Sequence, residues 1–144
     1  MNADPIVILL VEDNPGDVFL VRRALKKHGL PAELTIAEDG QSAIQFVEQA
    51  DADSRIRCPN LILLDLNLPR ATGTLVLQKL KESFRCAAIP VIVMTSSDSP
   101  LDQEAAAQLG ADYYFPKPTD LTRFMQLGAI ARSLLEGQRQ SPTA

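Results

Sequence analysis

Short apolar runs alternate along the chain with segments whose apolar residues recur at helical spacing. The apolar runs are residues 6–11, 34–37, 61–64, 91–94 and 113–115. The segments with helical spacing are residues 17–28, 41–49, 74–83, 101–109 and 120–136. Strands that alternate with helices indicate parallel pairing, with helices covering both faces of the sheet. The pattern therefore predicts an α/β fold, a doubly wound five-stranded parallel sheet with five helices.

Size and charge exclude several classes of protein. The 144 residues correspond to a single domain, 1–144, with a core over residues 5–136, a frayed tail over 137–144 and no output domain. A net charge of −4, with scattered Lys and Arg, gives no electrostatic reason to bind nucleic acid or an anionic membrane. No apolar run approaches the ~20 residues of a membrane span. No basic region precedes the first run as in a signal peptide, so we expect a cytoplasmic location.

The two cysteines, Cys58 and Cys86, are 28 positions apart and do not form a CxxC motif. In a cytosolic protein such residues are usually reduced. We therefore expect two free thiols.

Polar side chains, namely three acids, one hydroxyl and one cation, follow four of the predicted strands. Glu12 and Asp13 follow the first, Asp65 the third, Thr95 the fourth and Lys117 the fifth. In a doubly wound sheet, ligands bind beyond the carboxyl ends of the strands. Carboxylates suit Mg²⁺, and crowding three of them should raise the pKa of at least one unless a cation is present. The strand ends therefore group three carboxylates, one hydroxyl and one ammonium in a single pocket.

These residues and their order resemble the receiver domain of two-component response regulators, the family of the chemotaxis protein CheY. Positions 13, 65, 95 and 117 are separated by 52, 30 and 22 residues, as in that family. The strings LVEDNPGD (10–17), DLNLP (65–69) and GADYY (110–114) also match. The strings at 10–17 and 65–70 look most like the single-domain regulators that partner bacterial phytochromes. The resemblance covers about residues 5–136 and implies the flavodoxin-like strand order 2-1-3-4-5.

The resemblance implies a phosphoacceptor and a metal site. Asp65 would attack the phosphohistidine of a sensor histidine kinase and become an aspartyl phosphate. Asp13, Asp65 and the backbone carbonyl of Asn67 would bind Mg²⁺, and Glu12 would hold the ion through water. Lys117 would contact the phosphoryl group. The protein would assist its own phosphorylation and autodephosphorylation without being an enzyme that acts on other substrates.

The resemblance also implies a conformational switch. Thr95 would reach the phosphoryl group after a loop shift, and Tyr114 would swing inward with it. The partner surface would be formed by the fourth helix, the fifth strand and the fifth helix. The family further suggests a cis peptide bond between Lys117 and Pro118. Two positions depart from the common pattern: Glu12 replaces an Asp, and Thr72 stands where the loop often has an Asp.

Two surfaces are candidates for partner binding. The apolar residues of the last predicted helix cover about 220° of the helical wheel, against about 100° for one core-facing stripe. We therefore expect Leu127, Ile130 and Leu134 to form an exposed patch for a downstream protein or a homodimer, unless the tail covers it or the leucines are scattered. Phe19, beside basic residues of the first helix, is a candidate for kinase docking.

Three alternatives compete with a phosphorylated receiver. A receiver-like module that binds partners without phosphorylation stays open, although such modules usually lack the acceptor, the acids or the Lys. A haloacid dehalogenase-type phosphatase would need an acid at Asn67 to act on the proton. A flavodoxin-like flavin binder would need a phosphate-binding loop where Glu12 and Asp13 would repel phosphate.

Overall fold

The computed structural model describes residues 5–96 and 99–140, and Ser97 and Asp98 lie outside it. The strands are Ile6–Val11 (β1), Ala32–Ala37 (β2), Leu61–Asp65 (β3), Val91–Thr95 (β4) and Tyr113–Pro116 (β5). Four helices are Pro15–Lys27 (α1), Gly40–Ala52 (α2), Gly73–Lys81 (α3) and Pro100–Gln108 (α4). A fifth helix, α5, has two segments, Leu121–Phe124 and Gln126–Gln140, and Met125 between them keeps helical dihedral angles.

The five strands are parallel and lie in the order β2-β1-β3-β4-β5, which confirms the predicted topology. The register brings the carboxyl ends of the central strands level with one another. Val11 pairs with Leu64, Asp65 with Met94, and Thr95 with Pro116. The residues that follow these strands therefore meet at one edge of the sheet.

The core has two layers, one on each face of the sheet. Leu9 and Val11 of β1 belong to the layer shared with α2, α3 and α4. Ile8 and Leu10 belong to the layer shared with α1 and α5. Because successive strand residues point to opposite faces, burial of both faces requires an unbroken apolar run. This explains why the central strands carry no alternation of polar and apolar residues.

Helix α5 packs against α1 as well as against the sheet, and this corrects the predicted partner surface. Leu127 is 0% exposed within the core, so it does not form an exposed patch. Ile130 and Leu134 are half-buried against the same layer. The apolar residues cover a wide arc of the helical wheel because α5 packs against both α1 and the sheet. Phe19 is 58% exposed, and the Arg23 guanidinium lies 5.8 Å from its ring centre.

The last helix continues to Gln140, where a frayed tail was expected from residue 137. Gln and Arg have high helix propensity, and a single Gly near a helix end costs only about 1 kcal/mol. Residues 141–144 lie outside the described part, and the frayed tail over residues 137–144 stays a prediction. None of the described helices is long and apolar enough to cross a membrane.

Cys58 and Cys86 form a disulfide with a Cα–Cα distance of 5.6 Å, so the prediction of two free thiols was wrong. Cys58 precedes β3 and Cys86 precedes β4, and these neighbouring strands bring the two loops together. Asp51 at the end of α2 strengthens the same region. Its carboxylate accepts hydrogen bonds from Ser83 Oγ at 2.8 Å and from the Arg85 backbone N–H at 2.9 Å.

The contact between α1 and α5 predicts opposite effects of two glycine substitutions in one helix. A Cβ at Gly128 would lie 2.1 Å from the backbone oxygen of Ala24, whereas a Cβ at Gly137 would meet nothing within 4 Å. We expect Gly128→Ala to lower the free energy of unfolding by about 1–3 kcal/mol, because the helices must separate. Gly137→Ala should leave it unchanged or raise it by up to about 1 kcal/mol. Urea denaturation measures both, and equal effects would contradict the packing described.

Candidate functional site

The ammonium of Lys117 lies among three carboxylates at the carboxyl edge of the sheet. Lys117 Nζ is 2.7 Å from Glu12 Oε1, 2.8 Å from Asp17 Oδ2 and 3.1 Å from Asp65 Oδ2. Its side chain is only 9% exposed. A lysine ammonium has three hydrogen-bond donors, so the three oxygens use all of them. The predicted acid–base grouping is present, with Asp17 as an additional member.

Three of the predicted acids form what we call the carboxylate cluster, Glu12, Asp13 and Asp65. Each offers an oxygen, and these oxygens lie within 4.8 Å of one another. Glu12 and Asp65 are buried, whereas Asp13 is exposed and gives the cluster an open side. Several close, hard oxygen donors beside solvent are what Mg²⁺ prefers, because it retains part of its water shell. The donor set therefore fits a divalent cation.

The turn between β1 and α1 positions Asp17, which our sequence analysis did not single out. The Asn14 side chain caps α1 by accepting a hydrogen bond from the Asp17 backbone N–H at 3.1 Å. The Asn14 backbone N–H in turn donates to Glu12 Oε2 at 3.2 Å. These bonds hold the first turn of α1 above the strand ends. The sequence does contain a signal for Asp17, because it is an acid in the first turn of the helix that comes after Glu12 and Asp13.

The loop after β3 orients Asp65. The backbone N–H of Asn67 donates to Asp65 Oδ1 at 3.0 Å, while Lys117 contacts Oδ2. The Asn67 side-chain amide also donates to Thr95 Oγ1 at 3.3 Å. Gly73 allows the loop to return past the strand, because a Cβ there would lie 2.3 Å from the Asp65 backbone oxygen. Thr72, where the family often has Asp, caps α3 through a hydrogen bond from the Leu75 N–H.

Burial and ion pairing act in opposite directions on the pKa values of Glu12 and Lys117, and both pKa values are raised. Burial is the largest influence on Glu12 and raises its pKa to about 7, although Lys117 opposes the shift. The charge of Asp65 also raises the Glu12 pKa, by less than burial does. Burial alone would lower the pKa of Lys117. The hydrogen bonds to Asp17 and Glu12 and the charge of Asp65 outweigh burial, so the pKa of Lys117 is raised. The pKa of Glu12 is therefore raised even with the Lys117 cation in contact, whereas we expected such a rise only without a cation. Its main cause is desolvation rather than repulsion between carboxylates.

The predicted switch residues lie next to this site. Thr95 is fully buried at the end of β4, and Tyr114 is half-buried in β5 against the layer that contains α4. A cavity of about 500 Å³ lies between β5 and α5 and is lined by residues that include Tyr114, Lys117 and Ile130. No described peptide bond is cis, so the prediction for Lys117–Pro118 was wrong. The trans isomer is the intrinsically favoured form of an X–Pro bond.

The chain matches known proteins over most of its length. The family model described as the response regulator receiver domain matches residues 8–128. Response regulator Rcp1 of Synechocystis sp. is 41% identical over 117 residues, which cover 81% of this chain and 80% of Rcp1. The probable methanogenesis regulatory protein FilR2 of Methanothrix harundinacea is 37% identical, over 80% of this chain and 74% of its own length.

Solved structures are similar in fold as well. The phosphorylated cyanobacterial phytochrome response regulator RcpA superposes with a TM-score of 0.84 at 30% identity, covering 97% of this chain and 100% of RcpA. The Mn²⁺-bound form of response regulator Rcp1 superposes with a TM-score of 0.81 at 36% identity, covering 97% and 99%. These comparisons agree with the topology of the sheet.

The raised pKa of Glu12 predicts how the stability of the metal-free protein depends on pH. Between the ordinary pKa of 4.5 and about 7, the folded protein binds more protons at Glu12 than the unfolded chain does. The free energy of unfolding should therefore fall as pH rises through this window, by ~2–3 kcal/mol. Urea denaturation in the presence of a chelator measures it. Glu12→Gln should remove most of this slope, and Glu38→Gln, an exposed control at the same edge, should retain it. Equal slopes in all three proteins would contradict the assignment.

Proposed function

This chain belongs to the response regulator receiver family, and we propose that its Asp65 accepts a phosphoryl group from the phosphohistidine of a sensor histidine kinase. The observation that carries the proposal is the environment of the Asp65 carboxylate. One oxygen accepts the Asn67 N–H at 3.0 Å, and the other lies 3.1 Å from the Lys117 ammonium. The group is thus held at the open carboxylate cluster with a cation beside it.

The Asp65 side chain supplies the nucleophile. A carboxylate oxygen forms a bond to phosphorus as the bond from phosphorus to the histidine nitrogen breaks, and the histidine keeps the electron pair. A carboxylate nucleophile, unlike a hydroxyl, has no proton to lose and needs no general base. Phosphoryl transfer depends mainly on positioning and on neutralising charge at the phosphoryl oxygens. Lys117 would donate a hydrogen bond to one of those oxygens.

The carboxylate cluster supports binding of Mg²⁺. Asp13 and Asp65 would ligate the ion together with the Asn67 backbone carbonyl, and Glu12 would act through water. When bound, Mg²⁺ supplies positive charge that offsets the negative charge of the phosphoryl oxygens. Buried Glu12 and Asp65 lie beside exposed Asp13, so solvent has access to one side of the cluster.

Thr95 and Tyr114 are the proposed switch residues. Phosphorylation changes the equilibrium between two shapes only through contacts that differ between them. A hydrogen bond from Thr95 to the phosphoryl group would be such a contact, and it would require rearrangement of the Asn67–Thr95 bond. Tyr114 would then move inward and alter the surface formed by α4, β5 and α5. The same site would support autodephosphorylation by water.

The partners follow from this role. We propose a sensor histidine kinase of the phytochrome type, because the similar protein RcpA is a cyanobacterial phytochrome response regulator. Phe19 is exposed and would contact the kinase, and a downstream protein or a second copy would bind through half-buried Ile130 and Leu134. We propose no association with nucleic acid or with a membrane. The cytoplasmic location stays a prediction.

A receiver that binds partners without phosphorylation is the weaker alternative. Such a module has no need to keep an acceptor, an acid cluster and a cation in mutual contact. Here Asp65, Lys117 and Glu12 contact one another directly or through one shared ammonium. Acetyl phosphate, a small phosphoryl donor, distinguishes the two functions because it needs no kinase.

Asp65→Asn should abolish phosphorylation. Incubation of the unmodified protein with acetyl phosphate and Mg²⁺ should add one phosphoryl group that base and hydroxylamine remove. The amide of the variant is a poor nucleophile, so its mass should not change. Glu38→Gln serves as the control and should label normally. Undiminished labelling of Asp65→Asn would contradict the assignment of the acceptor.

Lys117→Ala and Thr95→Ala should separate phosphoryl binding from the shape change. Beryllofluoride, a phosphoryl mimic, should slow amide exchange in β4, β5 and α5 of the unmodified protein. Lys117→Ala should still bind Mg²⁺ yet lose most of this response, and Thr95→Ala should phosphorylate without the full response. Lys79→Ala, an exposed control, should behave like the unmodified protein. Normal protection in both site variants would show that the switch mechanism is wrong.

A further inference from the structure

We propose that Asp17 is a positioning residue that competes with the phosphoryl group for the Lys117 ammonium. The inference rests on the proposed function and names a regulator of the same site. Lys117 already donates to three oxygens, and Asp17 Oδ2 at 2.8 Å is as close as Glu12 Oε1 at 2.7 Å. A fourth acceptor on the phosphoryl group therefore requires Lys117 to release one of its present partners.

Asp17 is the partner of Lys117 that does not belong to the carboxylate cluster. Oxygens of Glu12, Asp13 and Asp65 lie within 4.8 Å of one another, and Asp17 is not part of that group. A divalent cation would bind the cluster and weaken the hold of Glu12 and Asp65 on the ammonium. The cation would not neutralise Asp17 in this way, so the ion pair between Asp17 and Lys117 would persist.

Two features keep Asp17 in place to act on Lys117. Its backbone N–H is fixed by the Asn14 cap at 3.1 Å, and its position in the first turn of α1 favours a negative charge. Its side chain is 23% exposed and that of Lys117 is 9% exposed, so solvent screens the pair only in part. An ion pair of this kind is sensitive to loss of either charge without being part of the hydrophobic core.

Removal of the Asp17 charge should change two affinities in opposite directions. In Asp17→Asn, Lys117 would bind Glu12 and Asp65 without competition, so Mg²⁺ should bind about three- to tenfold more weakly. Once Mg²⁺ is saturating, Lys117 would be released more easily to an anion on Asp65. Beryllofluoride should then bind about three- to tenfold more tightly.

Calorimetric titrations with MgCl₂ alone, and with beryllofluoride at saturating Mg²⁺, measure the two affinities. Glu38→Gln removes one negative charge at the same edge and reports the general effect of charge. Asp17→Glu keeps the charge and should retain most of the unmodified behaviour. Asp17→Ser provides a second neutral residue compatible with a helix start, in case Asp17→Asn folds poorly, and circular dichroism monitors folding.

A double-mutant cycle tests whether Asp17 acts through Lys117. In a Lys117→Met background, Asp17→Asn should alter Mg²⁺ affinity no more than Glu38→Gln does. Opposite shifts that exceed those of Glu38→Gln, and that vanish in the Lys117→Met background, would support the proposal. Shifts equal to those of the control, or unchanged by Lys117→Met, would overturn it. Absence of Mg²⁺ and beryllofluoride binding by the unmodified protein would instead overturn the proposed function, and the role of Asp17 with it.

Discussion

The ion pairing of Lys117 is the interaction on which the functional site depends. A nearly buried ammonium contacts Glu12, Asp17 and Asp65, which come from the end of β1, the start of α1 and the end of β3. Without this cation, the folded protein would hold several acids together in a poorly solvated place. Such burial costs free energy, as the raised pKa of Glu12 indicates. A divalent cation would also neutralise these acids, so the excess of negative charge favours binding of such an ion.

The parallel sheet supplies the geometry for this interaction. Its register brings the ends of β1, β3, β4 and β5 level, and the loop after β3 is tied to Asp65 by the Asn67 N–H. Asn67 also contacts Thr95, so the proposed acceptor Asp65 and the proposed switch residue already share a neighbour. A change at Asp65 can therefore reach β4 through one side chain. This is a short physical route from Asp65 to the surface formed by α4, β5 and α5.

Apolar runs and strand-end residues are local patterns, and they were sufficient to predict the parallel sheet and the grouping of Glu12, Asp13, Asp65 and Lys117. The strand order came from the family resemblance. The sequence did not predict contacts that depend on how helices and loops pack. The burial of Leu127 follows from the close approach of α1 and α5 at Gly128, which a helical wheel does not contain. The disulfide depends on two loops before neighbouring strands. Asp17 contacts Lys117 because the turn capped by Asn14 positions the start of α1.

The structure with Mg²⁺ and beryllofluoride bound is the most direct test of the central claim, that Lys117 is held by carboxylates at rest and serves the phosphoryl group when Asp65 is modified. Crystallography should place beryllium on an Asp65 oxygen, Mg²⁺ on Asp13 and Asp65, and the Lys117 ammonium within hydrogen-bonding distance of fluorine. The contact between Lys117 and at least one present carboxylate partner should be lost. Beryllofluoride at another residue, or a Lys117 that still contacts Glu12, Asp17 and Asp65 Oδ2 without touching fluorine, would contradict the account.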